Sequence, residues 1–261
     1  MKKELTDHFA KVSSTYAAHR PTYPPELFGW LASLTPEKSL AWDCATGTGQ
    51  AATALAGHFD RVHATDASES QIREAAPLDN VIYLTAPAHS SGLSEHSADI
   101  VTVAQALHWF SLEEFYTEVR RVLKPGGIIA VWTYGVFTVR GNDNDRTRKL
   151  LDNFYYNTVW DYWPAERRHV ENGYADLPFP FAGIEAPEFA MTVNWALEEL
   201  AGYLGSWSAT SRYIERNGRD PVSPLMAELT PLWGEERQRV EWPLSIKVGR
   251  TTSEKGFNSR E

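Results

Sequence analysis

The residues of this chain best suited to chemistry lie in one short stretch, Asp43-Cys44-Ala45-Thr46-Gly47-Thr48-Gly49-Gln50, which follows an apolar run and opens a helical pattern. Glycines at a strand-to-helix bend allow a tight turn and let a ligand come close to the backbone. Asp66 ends the next apolar run, where a carboxylate can accept hydrogen bonds from ribose hydroxyls. Two kinds of ligand fit such a bend. Gly47-Thr48-Gly49-Gln50-Ala51-Ala52 satisfies the fingerprint of dinucleotide folds, whose ligand brings a pyrophosphate. An S-adenosylmethionine ligand would instead bring an ammonium and a sulfonium. No Lys or Arg occurs between Lys38 and Arg61, so the bend offers the Asp43 carboxylate and no side-chain cation. Opposite charges attract, which favours the cationic ligand. Backbone N–H groups at a helix start can hold phosphate unaided, so the dinucleotide alternative stays open on these residues alone.

His108 is the candidate general base, because it follows the fourth apolar run at the edge where doubly wound folds bind ligands. Trp109 and Phe110 come directly after it, and a histidine in so aromatic a stretch can equally well pack and hydrogen-bond locally. Cys44 reads as a small core residue rather than a nucleophile. The eight histidines show no ligand spacing, and Asp143-Asn144-Asp145 lacks the other positions of a calcium loop, so no metal site is expected.

These residues need strands and helices to hold them. From Leu40 to Tyr134 short apolar runs alternate with helical patterns, the signature of βαβ units and a parallel sheet. The expected strands are Leu40 to Cys44, Arg61 to Asp66, Val81 to Thr85, Asp99 to Ala104 and Gly127 to Thr133. Helices are expected at Gln50 to Ala56, Ser68 to Ala76 and Ser111 to Leu123, the last with Ser111 as N-cap and Glu113-Glu114 in its first turn. The connection between strands three and four is weakly helical at best. Lys124-Pro125-Gly126-Gly127 is expected to stop the last helix and turn the chain into strand five. Beyond Tyr134 comes a polar loop, then an aromatic segment with Phe154, Tyr155, Tyr156, Trp160, Tyr162 and Trp163 that reads as helical. Two later strands, Glu188 to Trp195 and Val240 to Val248, would complete the sheet, separated by helices around Leu197 to Leu204 and Leu225 to Trp233.

With 261 residues and 43% hydrophobic content the chain can bury a substantial core. A net charge of -9, without a basic stripe, argues against a nucleic-acid backbone as partner. The single cysteine rules out an intrachain disulfide and fits a reducing compartment. No apolar run follows Met1-Lys2-Lys3-Glu4, and none is long enough to span a bilayer, so a cytoplasmic protein that does not enter membranes is expected. The oligomeric state is left open.

Asp43 through Gln50 resembles the first motif of class I S-adenosylmethionine-dependent methyltransferases. The run from Asp99 to Phe110 resembles the fourth-strand motif of the type 11 branch, and Arg121-Val122-Leu123-Lys124-Pro125-Gly126-Gly127 is similar to the signature before its fifth strand. Phe9, Tyr16, Arg20-Pro21 and Tyr23-Pro24 are similar to the opening of a subgroup that includes trans-aconitate methyltransferase. The likeness implies a Rossmann-like doubly wound mixed α/β sheet of about seven strands, the last antiparallel, with an aromatic-rich cap inserted after strand five. Within a single methyltransferase domain it implies a cofactor-covering segment over 1–38, a cofactor-binding core over 39–134, a cap over 135–187, and sheet completion with further cap helices over 188–250. It also implies the transfer of a methyl group from S-adenosylmethionine to a small-molecule acceptor, with S-adenosylhomocysteine as product and a carboxylate as one acceptor class. A nicotinamide oxidoreductase and a non-catalytic cofactor-binding protein are the alternatives.

On this resemblance Asp43, Cys44, Ala45, Thr46, Gly47 and Gly49 hold the methionine part, Asp66 the ribose, and Ala67 and Ser68 the adenosine side. Pro87, Ala88 and His89 border the adenine, and Gln105 and Ala106 line the floor. Tyr16 and Arg20 close over the cofactor, Arg20 pairing with its carboxylate. Tyr23, Trp109, Tyr134, Trp160, Trp207 and Arg212 are the candidate acceptor contacts. Two positions depart from the pattern. Ala45 replaces the usual first glycine, which implies an unstrained backbone there, and His89 stands where a carboxylate is common.

Overall fold

The computed structural model describes residues 21–140 and 145–251. Tyr16 and Arg20 lie outside the described residues. The chain divides into two compact units, one built from Tyr23–Tyr134, Asn172–Phe189 and the chain from Leu244 onward, the other from Gly135–Glu171 and Ala190–Pro243.

The first unit is a doubly wound sheet. Strands β1 (Ala41–Cys44), β2 (Val62–Asp66), β3 (Val81–Thr85), β4 (Ala98–Ala104) and β5 (Leu123–Tyr134) run parallel in the order β3-β2-β1-β4-β5. The Leu244–Arg250 part of β9 (Gln238–Arg250) pairs antiparallel with β5 and, on its other side, with β7 (Ala182–Ile184). This makes seven strands with the last in sequence antiparallel, as the resemblance implied.

Successive side chains of a strand face opposite sides, and both sides of this sheet are covered. Ala41, Ile100, Ile128, Ala130 and Trp132 share one core with Leu27, Phe28 and Leu31 of α1 (Pro25–Ser33) and Ala51, Ala52 and Leu55 of α2 (Gln50–Ala56). The alternate residue Trp42, wholly buried, packs instead at 6.2 Å on Phe115 of α4 (Leu112–Val122). Between these helices α3 (Glu69–Arg73) is a single short turn with no buried residue, cut off well before the expected Ala76.

The connection from Ala86 to Ser97, weakly helical at best by its sequence, contains no helix, and Glu118 of α4 accepts hydrogen bonds from both Ser91 N and Ser91 Oγ. Two expectations are corrected here. Lys124 to Gly127 does not precede strand five but interrupts it. Leu123 already pairs with Ala98, and the register resumes at Ile128 opposite Ile100, so the four residues bulge out with Gly126 at a φ of +79°. Ser111 does occupy the N-cap of α4, yet its hydroxyl makes no capping bond.

In the second unit, β6 (Thr138–Arg140) and β8 (Ala190–Trp195) both pair antiparallel with the Gln238–Trp242 part of β9. The run ending at Trp195 therefore does pair with the last strand, as expected, along its Gln238–Pro243 part. Helices α5 (Asp145–Asn153), α6 (Arg167–Glu171), α7 (Leu197–Gly205), α8 (Ser208–Asn217) and α9 (Val222–Trp233) belong to this unit. The aromatic segment is not one regular helix. It forms a π turn over Phe154–Thr158 and a 3₁₀ turn over Trp160–Tyr162, since such bulky rings at successive positions cannot all bury on one face of an α-helix. Their partner is Trp207, whose ring lies 5.6 Å from Tyr155 and 5.5 Å from Trp163; Trp207 in turn meets Tyr203 at 5.6 Å, and Tyr203 accepts a hydrogen bond from Trp242 Nε1 at 3.0 Å.

Candidate functional site

The parallel order of β1 and β4 at the centre of the first unit brings the candidate residues to one edge, the carboxyl ends of the strands. Asp43 pairs in register with Thr102, and the Thr102 hydroxyl donates to Asp43 Oδ1 at 2.7 Å. Thr46 Oγ1 donates to Asp43 Oδ2 at 2.5 Å. The carboxylate is wholly buried, and among the described residues no Lys, Arg or His forms an ion pair with it. Burial pushes its pKa from 3.8 up to about 6, with the nearby Asp66 adding to the rise, although the two threonine hydroxyls and the Ala52 backbone pull the other way.

The bend itself is left-handed at Ala45 (φ +56°), Gly47 (+59°) and Gly49 (+89°). An unstrained backbone at Ala45 was expected and is not found. The chain must turn from β1 into α2 within a few residues while Thr46 N donates to the Thr65 carbonyl at 2.9 Å, and this fixes Ala45 in a conformation that glycine would adopt more easily. At Gly49, the N-cap of α2, a Cβ would stand 2.5 Å from Tyr83 Oη, so any larger residue would have to displace the tyrosine ring. The result is a tight, half-buried backbone bend beside a buried acid.

Asp66, half-buried at the end of β2, braces the same bend. Its Oδ2 accepts from Gly47 N at 2.9 Å and its Oδ1 from Ser68 N at 2.8 Å. Burial raises its pKa, and the Ser68 and Gly47 donors offset part of that rise. Ala67 is exposed and Ser68 buried. Pro87, Ala88 and His89 follow the end of β3, with Pro87 and His89 exposed. Cys44 is buried with its thiol pKa pushed up by burial, consistent with a packing residue.

Gln105, directly after β4, is in a left-handed conformation (φ +56°). Its amide is committed to β5: Oε1 accepts from Thr133 Oγ1 at 2.5 Å and Tyr134 N at 2.9 Å, while Nε2 donates to the Tyr134 carbonyl at 3.1 Å. The side chain therefore ties two strand ends together, and what it and Ala106 can offer a floor is mainly backbone. Tyr23 packs edge-on to Trp132 at 5.5 Å and Tyr134 at 6.4 Å, an aromatic group at the end of β5. His108 lies in the 3₁₀ turn Leu107–Trp109, its ring 4.7 Å from that of Trp109, and its Nδ1 is 2.8 Å from Tyr174 Oη. Tyr174 is remote in sequence and was not among the expected residues. Only the left-handed propensity of Gly173 just before it hints at a turn.

Trp160, Trp207 and Arg212 belong to the second unit. Trp207 is a core aromatic there, Trp160 packs on Tyr155 at 5.8 Å, and Arg212 Nη1 donates to the Tyr162 carbonyl at 3.1 Å. The same unit holds a group that the sequence did not announce. Arg167 Nε donates to Tyr155 Oη at 2.9 Å, Tyr155 Oη donates to Glu171 at 2.6 Å, and the guanidinium stacks 4.7 Å over Trp163.

The profile of the family described as "Methyltransferase domain" matches residues 42–131, the span from β1 through β5. A Dictyostelium discoideum protein named as a methyltransferase is 34% identical over 228 residues, covering 87% of this chain and 86% of that protein. A solved structure from Anaeromyxobacter dehalogenans, described as a type II methyltransferase, is 42% identical with a TM-score of 0.84 and covers 90% of this chain and 99% of its own. The [4+2]-cyclase SpnF, at 16% identity and a TM-score of 0.51, shares the fold alone. The glycine cradle, the acids at the ends of β1 and β2, the strand order and these relatives lead to one conclusion: the chain belongs to the class I S-adenosylmethionine-dependent methyltransferases.

Proposed function

We propose that this protein transfers the methyl group of S-adenosylmethionine to a small-molecule acceptor, with a carboxylate as the favoured acceptor class, and releases S-adenosylhomocysteine. The observation that carries this is Asp43: a wholly buried carboxylate, paired with hydroxyls and with no ion-paired cationic side chain among the described residues, beside the left-handed backbone bend from Ala45 to Gly49. A ligand bearing positive charge supplies what the acid lacks, and a pyrophosphate would not. The donor set therefore fits the cofactor.

The backbone from Ala45 to Gly49 would hold its methionine part within the field of Asp43, Asp66 would accept from the ribose hydroxyls on lone pairs left by Gly47 and Ser68, and Ala67 and Ser68 would border the adenosine. Pro87, Ala88 and His89 would flank the adenine, with Gln105 and Ala106 beneath the methionine. Tyr16 and Arg20 would cover it. When bound, the cofactor supplies a methyl group already activated by a sulfonium charge. The protein's own task is alignment, and orientation of reactants can remove on the order of 7–11 kcal/mol from a barrier. Tyr23, Trp109 and Tyr134 are assigned to the acceptor side. A carboxylate acceptor needs no base; a hydroxyl or amine would make His108 its proton acceptor.

Residues 39–134 are assigned as the cofactor-binding core and residues 135–187, with the helices of 188–250, as the acceptor-selecting part. The similarity of Tyr23-Pro24 and the preceding residues to the trans-aconitate subgroup supports the carboxylate class. The net charge of -9 argues against nucleic acid as acceptor, and the single cysteine supports a cytoplasmic setting.

The test is incubation with methyl-labelled S-adenosylmethionine and a panel of small carboxylic acids, phenols and amines. Label is expected in at least one carboxylic acid as its methyl ester. Label only in phenols or amines would overturn the carboxylate assignment, and absence of transfer to every member would overturn the small-molecule proposal.

A further inference from the structure

Among the described residues four that are not glycine hold left-handed backbone: Ala45, His96, Gln105 and Tyr174. Ala45 and Gln105 sit at the carboxyl ends of β1 and β4. Tyr174 (φ +61°) follows Gly173 (φ +58°), and two such residues in succession turn the chain sharply. The turn is held from both sides. A Cβ on Gly173 would stand 2.5 Å from Ser245 Oγ of β9, so the backbone cannot be relieved by a larger residue there. Lys247 Nζ, also on β9, donates to the Tyr174 carbonyl and, at 3.0 Å, to that of Leu177.

What this strained turn delivers is one atom. The Tyr174 side chain is 1% exposed, and its hydroxyl lies 2.8 Å from His108 Nδ1 with the two rings 5.8 Å apart. Backbone strain at a residue with a Cβ persists only where surrounding contacts impose it, and it concentrates at functional sites. An aromatic plug alone would not require a hydroxyl on an imidazole nitrogen. A bond at Nδ1 stops the ring from flipping, and with Nδ1–H donating to the tyrosine oxygen it leaves Nε2 without a proton.

We propose that Tyr174 is the positioning residue of His108, fixing the orientation and tautomer of the imidazole at the carboxyl edge of β4, where His108 meets the methyl acceptor. The part concerning the acceptor rests on the methyl-transfer reading of that edge. Nδ1 is withdrawn from exchange with the acceptor, and the Gly173-Tyr174 turn, anchored on β9, becomes a support for a side chain in the 3₁₀ turn that follows β4.

The test uses the full chain labelled with ¹⁵N-histidine, the His108 ring signals being identified by their loss in His108→Gln. The wild-type ring should show a single fixed tautomer. Tyr174→Phe keeps the buried ring and removes only the hydroxyl; the two nitrogen shifts should then move toward tautomer-averaged values. Binding of S-adenosylhomocysteine, followed by calorimetry, should stay within about twofold, since the cofactor cradle is untouched. Where the methylated panel compound is a phenol or amine, Tyr174→Phe should lower kcat roughly tenfold with less change in KM, a part of the 10²–10⁴-fold a positioned acid or base supplies; where it is a carboxylate, which needs no base, kcat should stay within about twofold. In the His108→Gln background it should cost nothing further. An unaltered His108 signature in Tyr174→Phe, or equal losses in both backgrounds, overturns the proposal. If Tyr174→Phe does not fold, the ¹³C shift of the Tyr174 hydroxyl-bearing carbon is compared between wild type and His108→Gln; a shift that changes supports the bond and one that does not overturns it. Failure of the wild-type chain to bind S-adenosylhomocysteine would instead strike the methyl-transfer reading, and the tautomer result would still stand or fall by itself.

Discussion

A carboxyl group that titrates near 6 when folded and near 3.8 when unfolded binds its proton more tightly in the native chain. Stability therefore falls as pH rises through that window, by about 3 kcal/mol once both states are ionised. Asp43 thus destabilises the ligand-free protein at neutral pH, and a cationic ligand that favours its ionised form should recover part of this. Affinity for S-adenosylmethionine is expected to strengthen between pH 5 and 7, with a binding enthalpy that depends on the buffer because a proton is released near pH 6. A flat profile with no proton release would contradict the role given to Asp43. Asp43→Asn should raise the melting temperature of the free protein at pH 7 while weakening S-adenosylmethionine binding by more than about tenfold, a loss of roughly 1.4 kcal/mol or more. Ala45 is a separate case. Its left-handed backbone costs about 1–2 kcal/mol, of which glycine would relieve most while adding about 0.5–1 kcal/mol of chain entropy to lose. Ala45→Gly should leave the melting temperature equal or higher in a calorimetric scan, and a fall of several degrees would show that the strain is not borne there.

At the scale of elements, the loop after β3 is tied to α4 through Glu118, with Arg121 Nη2 also donating to the Leu93 carbonyl at 2.7 Å. Burial alone would raise the pKa of Glu118, but Arg121 and the Ser91 hydroxyl and N–H together hold it at about 2, below its ordinary 4.5. A depressed carboxyl contributes stability that is complete above its unfolded value and disappears as pH falls through the folded one. Wild-type stability should therefore decline between about pH 4.5 and 2, and Glu118→Gln, less stable at pH 7, should show a shallower decline in denaturant titrations across that range. Gly49→Ala tests how α2 meets β3. With a Cβ 2.5 Å from Tyr83 Oη and a backbone at φ +89°, it should cost about 1–3 kcal/mol by overpacking and strain combined. The elements here were largely legible in the sequence, because β1 to β4 and α2 are bounded by residues with local meaning: an acid at each of two strand ends and glycines at the bend. The four-residue bulge in β5 was not, since Lys124-Pro125-Gly126-Gly127 carries turn chemistry whether it precedes a strand or interrupts one, and only the pairing of Leu123 with Ala98 decides.

Over the whole molecule the contrast lies between contacts that are local in the chain and those that are not. Asp43, Gly47, Gly49 and Asp66 could be singled out because the motif that joins them spans fewer than thirty residues. Tyr174 could not, because its bond to His108 crosses 66 positions and depends on a turn anchored by β9, the last strand to be made. The same holds in the second unit, where the aromatic composition was plain but the pairing of β6 and β8 with β9, and the Arg167 group with Tyr155 and Glu171, arise only from tertiary packing. The central claim is that the acidic glycine cradle holds an adenosyl sulfonium. Its most direct measurement is a calorimetric titration of the wild-type chain and of Asp66→Ala with S-adenosylmethionine and, separately, NAD. The account predicts saturable binding of S-adenosylmethionine at one site per chain, none of NAD, and loss of binding in Asp66→Ala; NAD binding without S-adenosylmethionine binding, or wild-type affinity in the variant, would contradict it.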